Sequence, residues 1–221
     1  MMTIRQSMAV LAVAATAALA VPGQAAAQTE NPAPAGPDRP VILAVGESTT
    51  EGYGVRRDLS YPAQLQKELD KRGYHYRVVN HGVSGSTTYD ALLRFDRGLA
   101  LRPKIVLIAL GGNDGGNRVR PEATRANLTK MMSLYKRAGA EVFLFDRNIR
   151  GSEGMFADLA KEQHAILLPP LTTGVAGNPD LLIGDQSHPN AEGYTIIVAN
   201  LLKDLEPYLQ KQQLAQEQTG K

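Results

Sequence analysis

A short run of apolar, mostly β-branched residues at positions 41–45 ends directly at a segment with three glycines, residues 46–54. A run of this length and composition is typical of a buried strand, and the glycine at its end predicts a tight turn. Ser48 lies in this turn, at the carboxyl end of the strand, where open α/β sheets bind their ligands. Its hydroxyl is therefore either a turn group that satisfies nearby backbone atoms or a nucleophile held at the edge of a sheet.

Strand and helix patterns alternate along the rest of the chain. Residues 121–137, for example, have a proline in the first turn and Gly139 after the end, which is typical of a helix. Five strands separated by helices predict an α/β fold, a three-layer α/β/α sandwich with a five-stranded parallel sheet. The predicted strands cover residues 41–45, 76–80, 104–110, 141–146 and 165–168, and the predicted helices cover residues 61–72, 89–101, 121–137, 154–163 and 190–209.

The composition fits one domain of this class and narrows its chemistry. The chain has 221 residues, of which 43% are hydrophobic, and a formal net charge of +2, so a sizeable core is expected and nothing points to nucleic acid. It contains no cysteine, which excludes disulfides, thiolate metal sites and a cysteine nucleophile. With four histidines and no His-Glu-x-x-His pattern, neither a metal nor another cofactor is expected.

The first 27 residues have the features of an export signal. Arg5 precedes an apolar stretch, and small residues at 25–27, or alternatively at 18–20, offer a cleavage site. The stretch is short for a transmembrane helix, so a periplasmic or secreted protein without a stable membrane span is expected, with an uncleaved anchor as the alternative.

The folded domain is predicted to cover residues 41–209. Residues 28–40 carry four prolines among small polar residues, which indicates an extended linker. Residues 210–221 are polar and are expected to form a frayed tail.

An acyl-transfer site needs a nucleophile, a base, a group that orients the base, and donors for an oxyanion. Ser48 follows the first predicted strand, Gly85 follows the second, and Asn113 follows the third. Near the C-terminus, Asp185 and His188 are separated by a spacing that one turn of chain can close into a carboxylate–imidazole hydrogen bond. The sequence thus offers a candidate for each part of such a site.

Each candidate also has a purely structural interpretation. Gly85 fits a turn, Asn113 and Asp185 are common cap and turn residues, and His188 fits an exposed loop. Their joint placement, after strands or before the final helix, favours a shared site. Pro189, directly after the histidine, is expected to start that last helix.

Four blocks of the sequence resemble the SGNH, or GDSL-type, hydrolases, and most closely their bacterial arylesterase, thioesterase and lysophospholipase subgroup. The resemblance covers roughly residues 41–209 and implies a flavodoxin-like sheet. One block alone is a weak signal, but four in order at suitable spacing are specific. The blocks are Gly46-Glu47-Ser48, the loop at Gly85, Gly111-Gly112-Asn113-Asp114 and Asp185-x-x-His188-Pro189.

The resemblance implies a role for each candidate residue. Ser48 would be the nucleophile, His188 the base and Asp185 its orienting partner. The N–H groups of Ser48 and Gly85 and the side chain of Asn113 would form the oxyanion hole.

The chain departs from the family pattern at three places. Glu47 stands where the family usually has aspartate, and Ser86 stands where the subgroup usually has aspartate. Neither change removes a catalytic atom, and Glu47 is expected to support the loop without taking part in bond breaking. Residues 147–154 also form a shorter segment than in the subgroup, which predicts a reduced loop on the substrate side.

The leading hypothesis is a secreted serine esterase that hydrolyses a small-molecule ester, thioester or lipid through an acyl-enzyme on Ser48. One alternative is a carbohydrate O-acetyl esterase, and another is a ligand-binding relative without catalysis. A standard α/β-hydrolase is disfavoured because no Gly-x-Ser-x-Gly elbow occurs. The acyl chain, the leaving group and the oligomeric state do not follow from the sequence.

Overall fold

The computed structural model describes residues 39–147, 149 and 153–219. The predicted export signal lies outside the described residues, as does the predicted linker except for Arg39 and Pro40. Both assignments therefore stay predictions. Within the described part of the chain, no helix is long and apolar enough to cross a membrane.

A parallel five-stranded sheet forms the centre of the fold, as predicted. Each strand pairs in parallel with its neighbours: Ile42, for example, lies between Val78 on one side and Ile105 on the other. In chain order the strands are β1 (Val41–Gly46), β2 (Arg77–Gly82), β3 (Ile105–Ala109), β4 (Glu141–Phe145) and β5 (Ile166–Leu168), and their order in the sheet is β2-β1-β3-β4-β5.

Eight α-helices occur among the described residues. The helix predicted over residues 121–137 is observed with those bounds, with its proline in the first turn. The helices are α1 (Ser48–Glu51), α2 (Tyr61–Lys71), α3 (Thr88–Leu93), α4 (Phe95–Ala100), α5 (Gly112–Gly116), α6 (Pro121–Arg137), α7 (Met155–Glu162) and α8 (Ala191–Thr219).

Helices cover both faces of the sheet, because successive side chains of a strand point to opposite sides. Ile42 and Ala44 of β1 belong to a buried cluster with residues of α2 and α8. Leu43 and Val45 belong to a second cluster with residues of α3, α6 and α7. The predicted three-layer α/β/α sandwich is therefore confirmed.

Two helix predictions were wrong in their extent. The helix predicted over residues 89–101 is divided at Arg94 into α3 and α4, and the Arg94 side chain bonds the loops described below. The last helix does not end at residue 209 but continues to Thr219. Its final ten residues are mostly glutamine, glutamate, lysine, leucine and alanine, which favour helix even without burial.

The start of α8 also differs from the prediction. Pro189 does not begin the helix; it forms an isolated antiparallel bridge with Leu182. Asn190 caps the helix instead, since its side-chain oxygen accepts hydrogen bonds from the N–H groups of Glu192 and Gly193, both at 3.0 Å.

The strand order places a switch point between β1 and β3. The chain leaves β1 towards β2 on one side and later enters β3 on the other side. In open sheets of this type ligands bind at the switch point, beyond the carboxyl ends of the strands. Ser48 begins α1 just beyond β1, and Asn113 lies in α5 just beyond β3, so both candidates lie at this point.

Candidate active site

Three side chains form a continuous hydrogen-bonded row at the carboxyl edge of the sheet. Nδ1 of His188 is 2.6 Å from Oδ2 of Asp185, and Nε2 of His188 is 2.8 Å from Oγ of Ser48. Because a carboxylate only accepts, Nδ1 carries the proton and Nε2 accepts from the serine hydroxyl. The structure therefore brings together the three residues that the sequence predicts as nucleophile, base and orienting group.

Asp185 is held by the turn that it shares with the histidine. Its Oδ1 accepts hydrogen bonds from the backbone N–H groups of Ser187 at 2.9 Å and His188 at 3.0 Å. These backbone bonds, together with the bond from the His188 ring, lower the pKa of the Asp185 carboxyl to about 2. The group is therefore a carboxylate at neutral pH, as the orienting role requires.

Ser48 occupies the first position of a very short helix. The N–H groups of Thr50 and Glu51 donate to the Glu47 carbonyl at 3.1 and 2.9 Å, which closes the turn around the serine. The Ser48 N–H lies at the helix start, where backbone donors have no partner within the helix. α1 packs closely on β2, since a Cβ at Gly82 would lie 2.3 Å from the Glu51 nitrogen.

The loop after β2 is fixed by Glu51, a residue that sequence reasoning missed. The Glu51 carboxylate accepts hydrogen bonds from the N–H and the hydroxyl of Ser84, and the Ser86 N–H donates to the Val83 carbonyl at 3.2 Å. Gly85 lies between Ser84 and Ser86 with φ +77°, a backbone conformation that residues other than glycine rarely adopt. The N–H groups on both sides of Gly85 are engaged, and among the described residues the Gly85 N–H is the candidate donor of this loop for a ligand.

Asn113 reaches the same loop from the other side of the switch point. Its side-chain Nδ2 donates to the Ser86 carbonyl at 3.0 Å. The next residue, Asp114, is fully buried and accepts hydrogen bonds from the Thr88 N–H at 2.9 Å and the Thr124 hydroxyl at 2.9 Å. Asp114 thus joins the turn that carries Asn113 to α3 and α6. These bonds give the buried Asp114 carboxylate a structural role.

The comparison with known proteins agrees with this geometry. The model of the GDSL-like Lipase/Acylhydrolase family matches residues 44–196. The chain belongs to this family. As a GDSL-like hydrolase it is a carboxylic ester hydrolase, which confirms the resemblance noted in the sequence, so the alternative of a binding protein without catalysis is not kept.

The matches between this GDSL-like hydrolase and individual relatives cover most of the length of each relative. Esterase TesA of Pseudomonas aeruginosa is 32% identical over 196 residues, which cover 84% of this chain and 92% of the relative. Thioesterase 1/protease 1/lysophospholipase L1 of Escherichia coli K12 is 31% identical over 176 residues, which cover 75% of this chain and 83% of the relative. Among solved structures, the psychrotrophic esterase EstA from Pseudoalteromonas sp., inhibited by monoethylphosphonate, has a TM-score of 0.71 and 26% identity, and the match covers 77% of this chain and 98% of that one.

Glu47, the first departure from the family pattern, joins the nucleophile turn to the Asn113 turn. The residue is 6% exposed, and its Oε1 accepts a hydrogen bond of 2.7 Å from the Gly112 N–H. Burial raises the pKa of the Glu47 carboxyl, although the Arg147 guanidinium 3.8 Å away and the backbone donors oppose this effect. The expected role in supporting the loop is consistent with these contacts, and Arg147 is a partner that the sequence did not indicate.

Ser86, the second departure, is bonded to an arginine that sequence reasoning also missed. Nη1 of Arg94 donates to Oγ of Ser86 at 2.8 Å, and Nη2 donates to the Gly46 carbonyl at 3.1 Å. Burial lowers the pKa of the Arg94 guanidinium from its usual value. The arginine thus links the end of β1 to the Gly85 loop. The third departure, the shortened segment 147–154, lies partly outside the described residues and stays a prediction.

Proposed function

We propose that this GDSL-like hydrolase is a serine esterase or thioesterase that works through an acyl-enzyme on Ser48. The observation that carries the proposal is the row Asp185–His188–Ser48, with 2.6 and 2.8 Å between its hydrogen-bonding atoms. This arrangement has the three parts of an activated serine nucleophile. That monoethylphosphonate inhibits the related esterase EstA supports the proposal, since phosphonates react with nucleophilic serines.

The first half of the reaction forms the acyl-enzyme. Oγ of Ser48 attacks the carbonyl carbon of the substrate while its proton passes to Nε2 of His188. The tetrahedral intermediate then collapses: the bond from carbon to the leaving oxygen or sulfur breaks, and His188 returns the proton to the leaving group. Asp185, held as a carboxylate, stabilises the imidazolium that exists between these two transfers.

The second half repeats the same proton transfers with water. Water attacks the acyl-enzyme as His188 takes its proton. The bond from the carbonyl carbon to Oγ of Ser48 then breaks, His188 gives that proton to Oγ, and the acid is released. In both halves, negative charge on the carbonyl oxygen is stabilised by the N–H groups of Ser48 and Gly85 and by the Asn113 side chain. The left-handed Gly85 and the bond from Asn113 to the neighbouring Ser86 support this assignment of the oxyanion hole.

A fluorophosphonate probe followed by peptide mass mapping tests the nucleophile. Ser48 should carry the adduct, and Ser48→Ala should abolish both labelling and ester hydrolysis. Ser84→Ala is the matched control and should label normally, because its hydroxyl is bonded to Glu51 and not to His188, and the backbone N–H of residue 84 still donates to Glu51. An adduct on Ser84 or Ser86 with Ser48 unmodified would contradict the assignment.

A substrate panel tests the class of ester. p-Nitrophenyl esters of increasing acyl length, acyl-CoAs and lysophospholipids should separate esterase, thioesterase and lipid activity. Acetylated xylan belongs in the same panel, since release of acetate from it alone would favour the carbohydrate O-acetyl esterase instead.

Export is the remaining part of the proposal. If residues 1–27 act as a signal, the chain produced in a Gram-negative host should accumulate in the periplasm with a new N-terminus near residue 28. Retention in the cytoplasm with the first residues intact would contradict it.

A further inference from the structure

The ring of Tyr53 lies against the imidazole of His188. The two ring centroids are 4.8 Å apart and the planes are inclined by 49°. The tyrosine is nevertheless 51% exposed. One side of its ring therefore covers the histidine while the rest of the ring faces solvent at the mouth of the site.

The backbone around Tyr53 fixes the ring relative to both reacting side chains. The Tyr53 N–H donates to the Ser48 carbonyl at 3.0 Å, at the end of α1. The next residue, Gly54, has φ +78°, and a Cβ there would lie 2.2 Å from Cδ1 of Ile183. The Ile183 N–H in turn donates to the His188 carbonyl at 2.9 Å. The turn that carries Tyr53 is thus anchored to the nucleophile on one side and to the histidine loop on the other.

The direction of proton transfer shows which part of a substrate meets this ring. Nε2 of His188 returns its proton to the leaving group, so the leaving atom must pass close to Nε2. The carbonyl oxygen points instead to Gly85 and Asn113. A flat apolar surface packed on the imidazole therefore borders the leaving group.

We propose that Tyr53 forms the wall of the leaving-group subsite and that it favours esters of phenols and other aromatic alcohols. The inference rests on the proposed function, because it uses the direction of proton transfer in that mechanism. A half-exposed tyrosine ring stacks with another ring in offset or edge-to-face geometry and contributes more than its buried area alone. The contact persists from the bound ester to the transition state, so it should act mainly on KM.

The experiment compares phenyl acetate, cyclohexyl acetate and methyl acetate, which share one acyl group. In Tyr53→Ala, kcat/KM for phenyl acetate should fall about three- to tenfold more than kcat/KM for methyl acetate, mainly through KM. Tyr53→Phe keeps the ring and should retain the preference for phenyl acetate. In Tyr53→Ala, kcat/KM for cyclohexyl acetate should fall less than kcat/KM for phenyl acetate, because the cyclohexyl group has a similar size but no π-system.

Three controls make the outcome decisive. Tyr89→Ala removes a tyrosine of similar exposure, 57%, from α3 and should leave the ratio of the three substrates unchanged. The rate of fluorophosphonate labelling, which involves no aromatic leaving group, should change less than twofold in Tyr53→Ala. Finally, a wild-type protein that labels at Ser48 and hydrolyses all three acetates establishes the proposed function separately.

The proposal is overturned if Tyr53→Ala lowers kcat/KM equally for all three acetates, or if it also loses fluorophosphonate labelling. Either result would mean that Tyr53 acts on His188 and not on the leaving group. Equal losses for phenyl and cyclohexyl acetate would overturn the preference for aromatic groups. If the wild-type protein is neither labelled at Ser48 nor active on esters, it is the proposed function that fails.

Discussion

At the scale of single residues, the Asn113 amide has two N–H groups, and one of them donates to the Ser86 carbonyl at 3.0 Å. We expect the other to bind the oxyanion, where charge develops only as Ser48 attacks. Asn113→Ala should therefore lower kcat by about 10²–10³ with little change in KM. Steady-state kinetics on one p-nitrophenyl ester, with thermal unfolding as a check of folding, measures this.

Asn117→Ala provides the matched control for Asn113. Asn117 is an exposed amide of the same turn, and its side chain donates to the Asn113 carbonyl at 2.9 Å. Its loss should change kcat only slightly. If folded Asn113→Ala keeps a near-normal kcat, Asn113 does not belong to the oxyanion hole.

Glu47 gives a prediction about stability and pH. Because burial raises its pKa in the folded state above 4.5, the carboxyl contributes stability that is fully present below about pH 4.5 and is lost as pH rises through the folded pKa. Glu47→Gln lacks this term, so its melting temperature relative to wild type should rise between about pH 4 and pH 8. Glu47→Ala should instead be less stable by about 1–3 kcal/mol, since the Gly112 N–H loses its acceptor.

The exposed Glu122 of α6 serves as the reference for this series. Glu122→Gln controls for the loss of one exposed carboxylate. A Glu47→Gln profile parallel to wild type would show that ionisation of Glu47 is not linked to folding. Retained melting temperature with complete loss of turnover in Glu47→Ala would point to a direct catalytic role.

At the scale of elements, Arg94 divides one predicted helix and joins β1 to the Gly85 loop. Ser86 is buried at 5% exposure, so aspartate there, as in the family pattern, should be tolerated only while Arg94 balances its charge. Ser86→Asp should stay within about 1 kcal/mol of wild type in the free energy of unfolding, because attraction to Arg94 offsets the cost of burying the carboxylate. In an Arg94→Met background the same change should destabilise by roughly 3–5 kcal/mol.

Urea unfolding of the wild type, both single variants and the double variant gives the coupling free energy. Ser86→Ala in both backgrounds is the uncharged control. Additive effects of Ser86→Asp and Arg94→Met would mean that the two side chains do not interact through charge.

The elements that the sequence predicts well are those long enough to show a pattern. α6 has a proline at its start, a glycine beyond its end and several turns of spacing between them. α1 and α5 were not predicted, because four or five residues give no helical period and consist of serine, threonine, glycine, asparagine and acidic residues. The break at Arg94 depends on tertiary contacts, which local propensity does not contain.

The residues of the candidate site also fall into those that a sequence pattern indicates and those that depend on tertiary contacts. Ser48, Asp185 and His188 could be predicted because they belong to sequence blocks with characteristic neighbours. Glu51 and Tyr53 could not, since their partners lie far away along the chain: Glu51 bonds Ser84, which is 33 residues on. Contacts of this kind follow only from the packing of loops.

At the scale of the whole molecule, the site exists only when the two ends of the domain meet. The hydrogen bond between Ser48 and His188 joins residues 140 positions apart. Gln64 of α2 helps to hold the base in place from a distance, since it donates to the Ala191 carbonyl at 3.2 Å at the start of α8. Packing of α8 on α2, rather than local turn structure alone, therefore positions the histidine loop over the nucleophile.

The domain boundary follows from the same long-range contacts. Residues 39 and 40 were predicted as linker, but the Arg39 guanidinium bonds the Asp70 side chain and the Tyr74 carbonyl, and the Pro40 carbonyl accepts from the Arg77 N–H at 2.9 Å. Arg39 and Pro40, the two residues before the predicted start at Val41, are thus bonded to the folded domain.

A truncation series tests this boundary. A chain that starts at Arg39 should match one that starts at residue 28 in melting temperature and in kcat, because it keeps all three contacts of Arg39 and Pro40. A chain that starts at Val41 should lose roughly 1–2 kcal/mol of unfolding free energy, the sum expected for a partly exposed ion pair and one hydrogen bond. Arg39→Ala in the chain from residue 28 should show the ion-pair part of that loss.

kcat should stay unchanged in all of these chains, since the contacts of Arg39 and Pro40 lie at the amino edge of the sheet, opposite the site. Equal stability of the Val41 and Arg39 chains would restore the predicted boundary, and a parallel loss of kcat would show that the two edges of the sheet are coupled.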